Sequence, residues 1–241
     1  MQTFVIGDIH GALRALEELL QQLNLQEQDT LIFLGDYVDG YSDSPAVLDY
    51  LIQLEREQAC IFLRGNHDEL LLNWLNKGAE NPLWLQHGGL STVQAYQNTN
   101  TSTKLRHRDF LERLKPYYLV NNKLFVHAGF TNLKGVQYEI DSRPFSWDRT
   151  LWELALSVDC NLEIDSKRYP KRLKLYDEIY IGHTPVTQIG ANKPTNFANV
   201  WNIDTGAGFG NYLSALEISS KKIYQSSKIS DLYPLETGRT A

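Results

Sequence analysis

"TLIFLGDYVDGYSDSPAVLDYLI", residues 30–52, joins a short apolar run to a glycine-bounded turn and then to apolar residues at helical spacing. Thr30 to Leu34 has the length and side chains of a buried strand, whereas Val47, Leu48, Leu51 and Ile52, after Pro45, recur at intervals that place them on one helix face. The stretch therefore predicts a strand, a turn carrying Asp36 and Asp39, and a helix. An equivalent unit precedes it, with Phe4-Val5-Ile6 followed by Leu13, Leu16, Leu19, Leu20 and Leu23. Another follows, with Cys60 to Leu63 leading into Leu70, Leu71, Leu72 and Leu75. Three such units in succession predict a layered α/β fold.

Beyond them, residues 68–120 predict a helical insertion, including "NPLWLQHGGLSTVQAY" and "FLERLKPYYLV" with the polar "QNTNTSTK" between them as a surface loop. Trp84 and Tyr96 are read as ordinary helix packing or as part of a segment that lies over a functional site. Strands are predicted at 123–126, 178–181, 200–203, 212–218 and 222–225, the last two as a hairpin. We expect one domain over 1–225 and a polar, loosely packed C-terminal tail over 226–241, which carries Pro234 and Gly238.

The chain has 241 residues, 42% of them hydrophobic, enough for a sizeable core. A net charge of −6 with no basic run argues against nucleic-acid and anionic-membrane partners. Two cysteines, Cys60 and Cys160, make no disulfide framework, and the N-terminus has no leader pattern, so a cytoplasmic location is expected. No apolar run approaches the roughly 20 residues of a membrane span.

Six strand predictions end in a small residue combined with Asp, Asn or His: "VIGDIHG", "FLGDYVDG", "FLRGNHDE", "LFVHAG", "YIGHTP" and "WNIDTGAG". In an open α/β sheet such ends share one rim. Of six histidines, His10, His67, His127 and His183 fall in these ends, and only His87 and His107, read as structural, lie elsewhere. With Asp8, Asp36 and Asn66 they form an oxygen and imidazole donor set without thiolate, suited to Mn, Fe, Zn or Mg. There are more donors than one four-coordinate ion needs. Two ions about 3.5–4 Å apart that share a carboxylate would use them all and activate water for in-line attack at phosphorus.

"GDIHG", "GDYVDG", "RGNHD", "HAG" and "GHTP" resemble, in order and spacing, the signature of the calcineurin-like metallophosphoesterases, most closely the phosphoprotein phosphatase branch of bacterial serine/threonine type. The separations of 28 residues from Asp8 to Asp36 and 30 from Asp36 to Asn66 match that branch. The resemblance implies an αββα sandwich of two mixed sheets flanked by helices, with a dimetal site, Mn or Fe above all, at the carboxyl ends of the strands. It implies Asp8, His10 and Asp36 as ligands of one ion and Asp36, Asn66, His127 and His183 as ligands of the other. His67 becomes the general acid, Asp39 holds its ring and favours the protonated form, and Arg64 clamps phosphate.

Two departures stand out. Gly40 takes the place where the family carries a phosphate-binding arginine, for which Arg143 and Arg149 are candidate replacements. Asp68 takes the place of a more common glutamate, as in diadenosine tetraphosphatases. The expected activity is hydrolysis of phosphoserine and phosphothreonine by a hydroxide held between the metals. The alternatives are symmetric cleavage of diadenosine tetraphosphate and a silent metal-binding scaffold. The expected partners are accordingly a phosphoprotein or a small phosphorylated molecule.

Overall fold

The computed structural model describes residues 1–78 and 81–240. Its strands are β1 (Thr3–Ile6), β2 (Thr30–Phe33), β3 (Ala59–Phe62), β4 (Tyr117–Val120), β5 (Lys123–Val126), β6 (Glu178–Ile181), β7 (Thr195–Phe197), β8 (Val200–Asn202), β9 (Ser214–Glu217) and β10 (Ile223–Gln225). They form two mixed five-stranded sheets, in the orders β10-β9-β1-β2-β3 and β4-β5-β6-β8-β7. The helices are α1 (Leu13–Leu23), α2 (Ser44–Leu54), α3 (Asn66–Lys77), α4 (Pro82–Trp84), α5 (Leu90–Tyr96), α6 (Thr101–Glu112), α7 (Arg143–Trp147), α8 (Thr150–Ser157) and α9 (Ile229–Leu232).

Strand alternation sorts the core into layers. In β1, Phe4 and Ile6 pack with Leu16, Leu19, Val47 and Leu51 of α1 and α2, while Val5 faces the other way. There it joins Ile32, Leu34, Phe125, Tyr180 and Ile203 in an apolar layer drawn from both sheets. Phe125 and Tyr180 stack within it, centroids 4.8 Å apart. The outer face of the second sheet, Leu124, Val126, Ile179 and Ile181, is covered by Leu151, Trp152 and Ala155 of α8. This is the αββα sandwich that the motifs implied, and β9 and β10 pair as the expected hairpin. No helix among the described residues is long and apolar enough to cross a membrane.

Three expectations need correction. "FLERLKPYYLV" is not all helical: α6 ends at Glu112, and Tyr117–Val120 becomes strand β4, antiparallel to β5. Pro116 cannot continue a helix, and Asn121 and Asn122, both at positive φ, turn the chain into a hairpin. Within "QNTNTSTK", Asn100 accepts a hydrogen bond from the Thr103 backbone N–H, so α6 begins inside the predicted loop. The tail over 226–241 is polar in sequence but anchored. Ile229 is buried, and the Tyr233 hydroxyl, also buried, donates to Asp43 Oδ2 at 2.6 Å and accepts from the Arg14 backbone N–H at 3.1 Å. Glu236 accepts from both the backbone N–H and the hydroxyl of Ser42 at 2.8 Å.

Candidate active site

The polar strand ends do converge. Asp8 and His10 follow β1, Asp36 and Asp39 follow β2, Asn66 and His67 follow β3 at the start of α3, His127 follows β5, and His183 follows β6. These eight side chains are all buried. The turns that present them are tight. His10, Asp36, Asp39 and His183 have φ of 54°, 55°, 73° and 67°, in the left-handed region that non-glycine residues rarely adopt. A side chain at Gly65 would collide with Asp36, and one at Gly182 with Asp8, so both positions admit close backbone approach only as glycine.

Asp36 sits at the centre. Its Oδ2 lies 3.7 Å from His10 Nε2 and 3.4 Å from His127 Nε2, and its Oδ1 accepts the His67 backbone N–H at 2.9 Å. It belongs to two groups whose potential ligand atoms all lie within 4.8 Å of one another: His10, Asp36 and His67, and Asp36, His127 and His183. Asn66 Oδ1 adds to the second group, 2.9 Å from His183 Nδ1 and 3.2 Å from His127 Nε2. Asp8 Oδ2 is 3.9 Å from His10 Nε2 and accepts the His183 backbone N–H at 3.0 Å. The ring orientations are fixed from behind: His10 Nδ1 donates to the Val38 carbonyl and His127 Nδ1 to the Leu34 carbonyl, leaving each Nε2 toward the centre.

The electrostatics of this cluster suit cations. Burial raises the Asp8 carboxyl well above the usual carboxylate range, reinforced by the Asp204 charge. Burial likewise lifts Asp68 to about 7 and Asp204 to about 6. Desolvation would also raise Asp36, but the imidazoles of His127 and His67 hold it well below. Burial disfavours the charged His127 ring, yet Asp36 pushes it up to about 10, while His10 and His183 are held well below their ordinary value by burial. Asp8 Oδ1 and His183 Nε2 are buried without a hydrogen-bond partner. A carboxylate-rich buried hub with orphaned donor atoms is what a pair of hard or borderline metal ions fits.

Asp68 and Asp204 support the hub from outside. Asp68 accepts the backbone N–H groups of Asp36 at 2.8 Å, Tyr37 at 2.9 Å and Gly65 at 2.8 Å, tying the end of β2 to the start of α3. Asp204 accepts from the Gly206 backbone N–H at 2.9 Å, so it shapes its own turn.

Above the hub lies a cavity of about 330 Å³ lined by Asn66, His67, Leu70, Asn81, Leu83, Trp84, His87, Trp147, Arg149 and Arg239. His67 Nδ1 donates to Asp39 Oδ2 at 2.6 Å, and the Trp84 indole N–H donates to the same oxygen at 2.5 Å. Sequence reasoning missed this second contact. "NPLW" carries a helix-start signal, since Asn81 Oδ1 caps the N–H groups of Leu83 and Trp84, but nothing local tells where the indole points. His87, read as structural, lines the cavity, whereas His107 is structural as expected, held between the Tyr96 hydroxyl at 2.7 Å and Asp49 Oδ1 at 2.8 Å.

The arginines sort differently from expectation. The Arg64 guanidinium is turned onto the carbonyls of Leu111 at 3.3 Å and Glu112 at 3.0 Å. Those carbonyls lie at the C-terminal end of α6, where the helix dipole favours a cation. Arg64 is thus occupied as a helix cap away from the cavity. Arg143 lines a separate surface hollow with Glu69 and Asp141, beyond Trp147. Arg149 does line the cavity, and Arg239 joins it from the C-terminal segment.

Fold and site together point to a metal-dependent hydrolase, and comparison with known proteins says which. Residues 1–207 match the family model for calcineurin-like phosphoesterases. The chain belongs to this family and is a phosphoester hydrolase. It is 29% identical to the asymmetrical bis(5′-nucleosyl)-tetraphosphatase PrpE of Oceanobacillus iheyensis, over 92% of this chain and 90% of that one. It is 27% identical to serine/threonine-protein phosphatase 1 of Salmonella typhimurium, over 89% and 91%. The crystal structure of a putative diadenosine tetraphosphatase superimposes with a TM-score of 0.63 at 19% identity, covering 93% of this chain and 92% of that one.

Proposed function

We propose that this chain hydrolyses phosphomonoesters of alcohols, phosphoserine and phosphothreonine above all. In this reading Asp8, His10, Asp36, Asn66, His127 and His183 hold two metal ions, manganese or iron. Ions held there supply Lewis acidity toward the phosphoryl group and toward water. His67 delivers the proton to the leaving oxygen, Asp39 fixes its ring, and Arg149 faces the phosphoryl oxygens.

The observation that carries the reading is the convergence of His67 and Trp84 on one oxygen of buried Asp39. It locks the imidazole with Nδ1 engaged, and the other ring nitrogen makes no hydrogen bond among the described residues. A serine or threonine alkoxide is a strong base and leaves only with a proton. A nucleoside phosphate leaving a polyphosphate chain is already a stable anion and needs none. A positioned proton donor is therefore of most use to an alcohol ester.

A second reading is hydrolysis of dinucleoside polyphosphates. It is favoured by the likeness to PrpE and by the apolar wall of Leu70, Leu83, Trp84 and Trp147, against which a base could stack. The manganese-loaded protein should release phosphate from phosphoserine peptides and aryl phosphates. Faster turnover of diadenosine tetraphosphate, with symmetric or asymmetric nucleotide products, would replace the first reading by the second. Absence of turnover on every one of these substrates would sink both.

A further inference from the structure

Arg239 reaches the cavity from the opposite end of the chain, 229 residues from the histidine it meets. Its NH1 lies 3.1 Å from His10 Nε2, the lone pair that faces the hub. Its Nε donates to the His87 carbonyl at 3.2 Å, its backbone N–H donates to the Gly208 carbonyl at 2.7 Å, and its guanidinium carbon lies 5.0 Å from the Phe209 ring centre. The methylene stem runs through a slot walled by glycines from three separate segments. A Cβ at Gly88 would come within 2.8 Å of Arg239 Cγ, one at Gly208 within 2.9 Å of Cδ, and one at Gly40 within 3.2 Å of Cγ. Side chains at these positions would close the path by which Arg239 enters.

The anchors along the C-terminal segment all serve this placement: Tyr233 on Asp43, Glu236 on Ser42, the Arg239 backbone on Gly208 and Thr240 Oγ1 on the Gln86 carbonyl at 2.8 Å. Arg239 makes no ion pair among the described residues, and no carboxylate lines the cavity it enters. Its charge favours ionisation of the nearby Asp204 carboxyl, but among the described residues no carboxylate takes its hydrogen bonds, and a guanidinium so placed keeps donors free for an anion.

We propose that Arg239 grips the phosphoryl oxyanion of the substrate, and that the space left by Gly40 exists to admit it. The inference rests on the phosphoester reading above. A metal ion held by His10 would use the nitrogen that NH1 now meets, and that guanidinium nitrogen would then be free. A phosphoryl oxygen over the hub would then accept from it. Its Nε and backbone anchors hold the stem while this exchange occurs.

The test uses the full chain loaded with manganese and compares wild type with R239Q and R239K. The readouts are equilibrium binding of inorganic phosphate by calorimetry, bound metal by elemental analysis, thermal stability, and KM and kcat on an aryl phosphate. We expect R239Q to keep its metal and fold while phosphate Kd and KM rise roughly 10- to 100-fold, the loss of a charge-assisted hydrogen bond. R239K, which keeps the charge without the fork, should fall between. Unchanged phosphate affinity in R239Q, tighter binding because the arginine was a plug, or loss of metal because it only held His10 would each overturn the proposal. So would a wild type with no measurable phosphate affinity. Wild type that turns over aryl phosphate while R239Q binds phosphate equally well sinks Arg239 alone. Wild type that binds phosphate without turnover, with R239Q weakened, supports Arg239 and removes the hydrolase reading.

Discussion

The floor and the roof of the cavity are built by different means. The floor is a set of strand ends: each of β1, β2, β3, β5 and β6 delivers one or two donors within a few residues of its last buried position, and the two sheets hold them in register. The roof is assembled from segments outside the sheets. These are residues 81–96, the region around Trp147 and Arg149, and the C-terminal segment ending at Arg239. A floor of this kind brings reacting atoms together with rigid backbone. In the proposed reading the roof would select the phosphoester and meet its leaving group. Substitutions in the two regions should therefore fail in different ways.

The largest effect is expected at the floor. Asp36→Asn should abolish turnover and lower the metal content below two ions, measured by elemental analysis beside an aryl phosphate assay. An active enzyme with two ions would remove Asp36 from the bridging position. His67 lies where floor meets roof. His67→Asn should cost roughly 10²–10⁴ in kcat on phosphoserine peptides, and much less on an aryl phosphate whose leaving group needs little help. Equal losses on both substrates would show that His67 does not act as a proton donor.

Trp84→Phe probes the roof by removing the indole N–H together with the five-membered ring that carries it. The expected result is a fall in kcat/KM of roughly tenfold, the worth of one hydrogen bond to a carboxylate, with metal content unchanged. A larger change accompanied by lost metal would mean that the roof supports the floor. The smallest effect concerns the joint between α5, α6 and α2, where His107 bridges Tyr96 and Asp49. Burial holds the His107 imidazole below its ordinary 6.5, against the pull of Asp49. Its stabilisation is therefore complete above the unfolded value and is lost as pH falls through the lower folded value. Burial would raise Asp49, but His107 and Arg106 hold it below its ordinary 3.8, so its own loss comes at lower pH still. The melting temperature should decline on acidification below about pH 6.5. The decline should be shallower in His107→Asn, and an identical slope would exclude the bridge as its source.

The same division explains what could be read from residues alone. Floor residues announce themselves because strand, glycine turn and donor are neighbours in sequence, as in "VIGDIHG" and "FLGDYVDG", and a repeated local pattern implies a shared rim. Roof contacts have no such signature. Trp84 meets Asp39 across 45 residues of sequence, and Arg239 meets His10 across 229. Arg64 shows the converse, for its position beside Gly65-Asn66-His67 suggested phosphate, while in the structure its guanidinium is turned onto the carbonyls of Leu111 and Glu112 at the end of α6. Strand β4, Tyr117-Tyr118-Leu119-Val120, has strand-favouring side chains, but they follow closely on the helix-like "FLERL", and only Pro116 marks the change before β4 pairs with β5.

His10, Asp36, Asp39 and His183 hold left-handed backbone conformations, each at a cost of roughly 1–2 kcal/mol for a non-glycine residue. The charge of Asp36 in turn disfavours ionisation of the neighbouring buried carboxyls of Asp8, Asp68 and Asp204. Heat tolerance and chemistry thus pull in opposite directions at these positions. In chelator-treated protein, Asp8→Asn should melt above wild type, since burial and the charges of Asp204 and Asp36 disfavour the Asp8 carboxylate and asparagine carries no charge. A library selected only for survival of heating in chelator would then accumulate changes at these turns, and the active site would be mapped by the gains in robustness that destroy it.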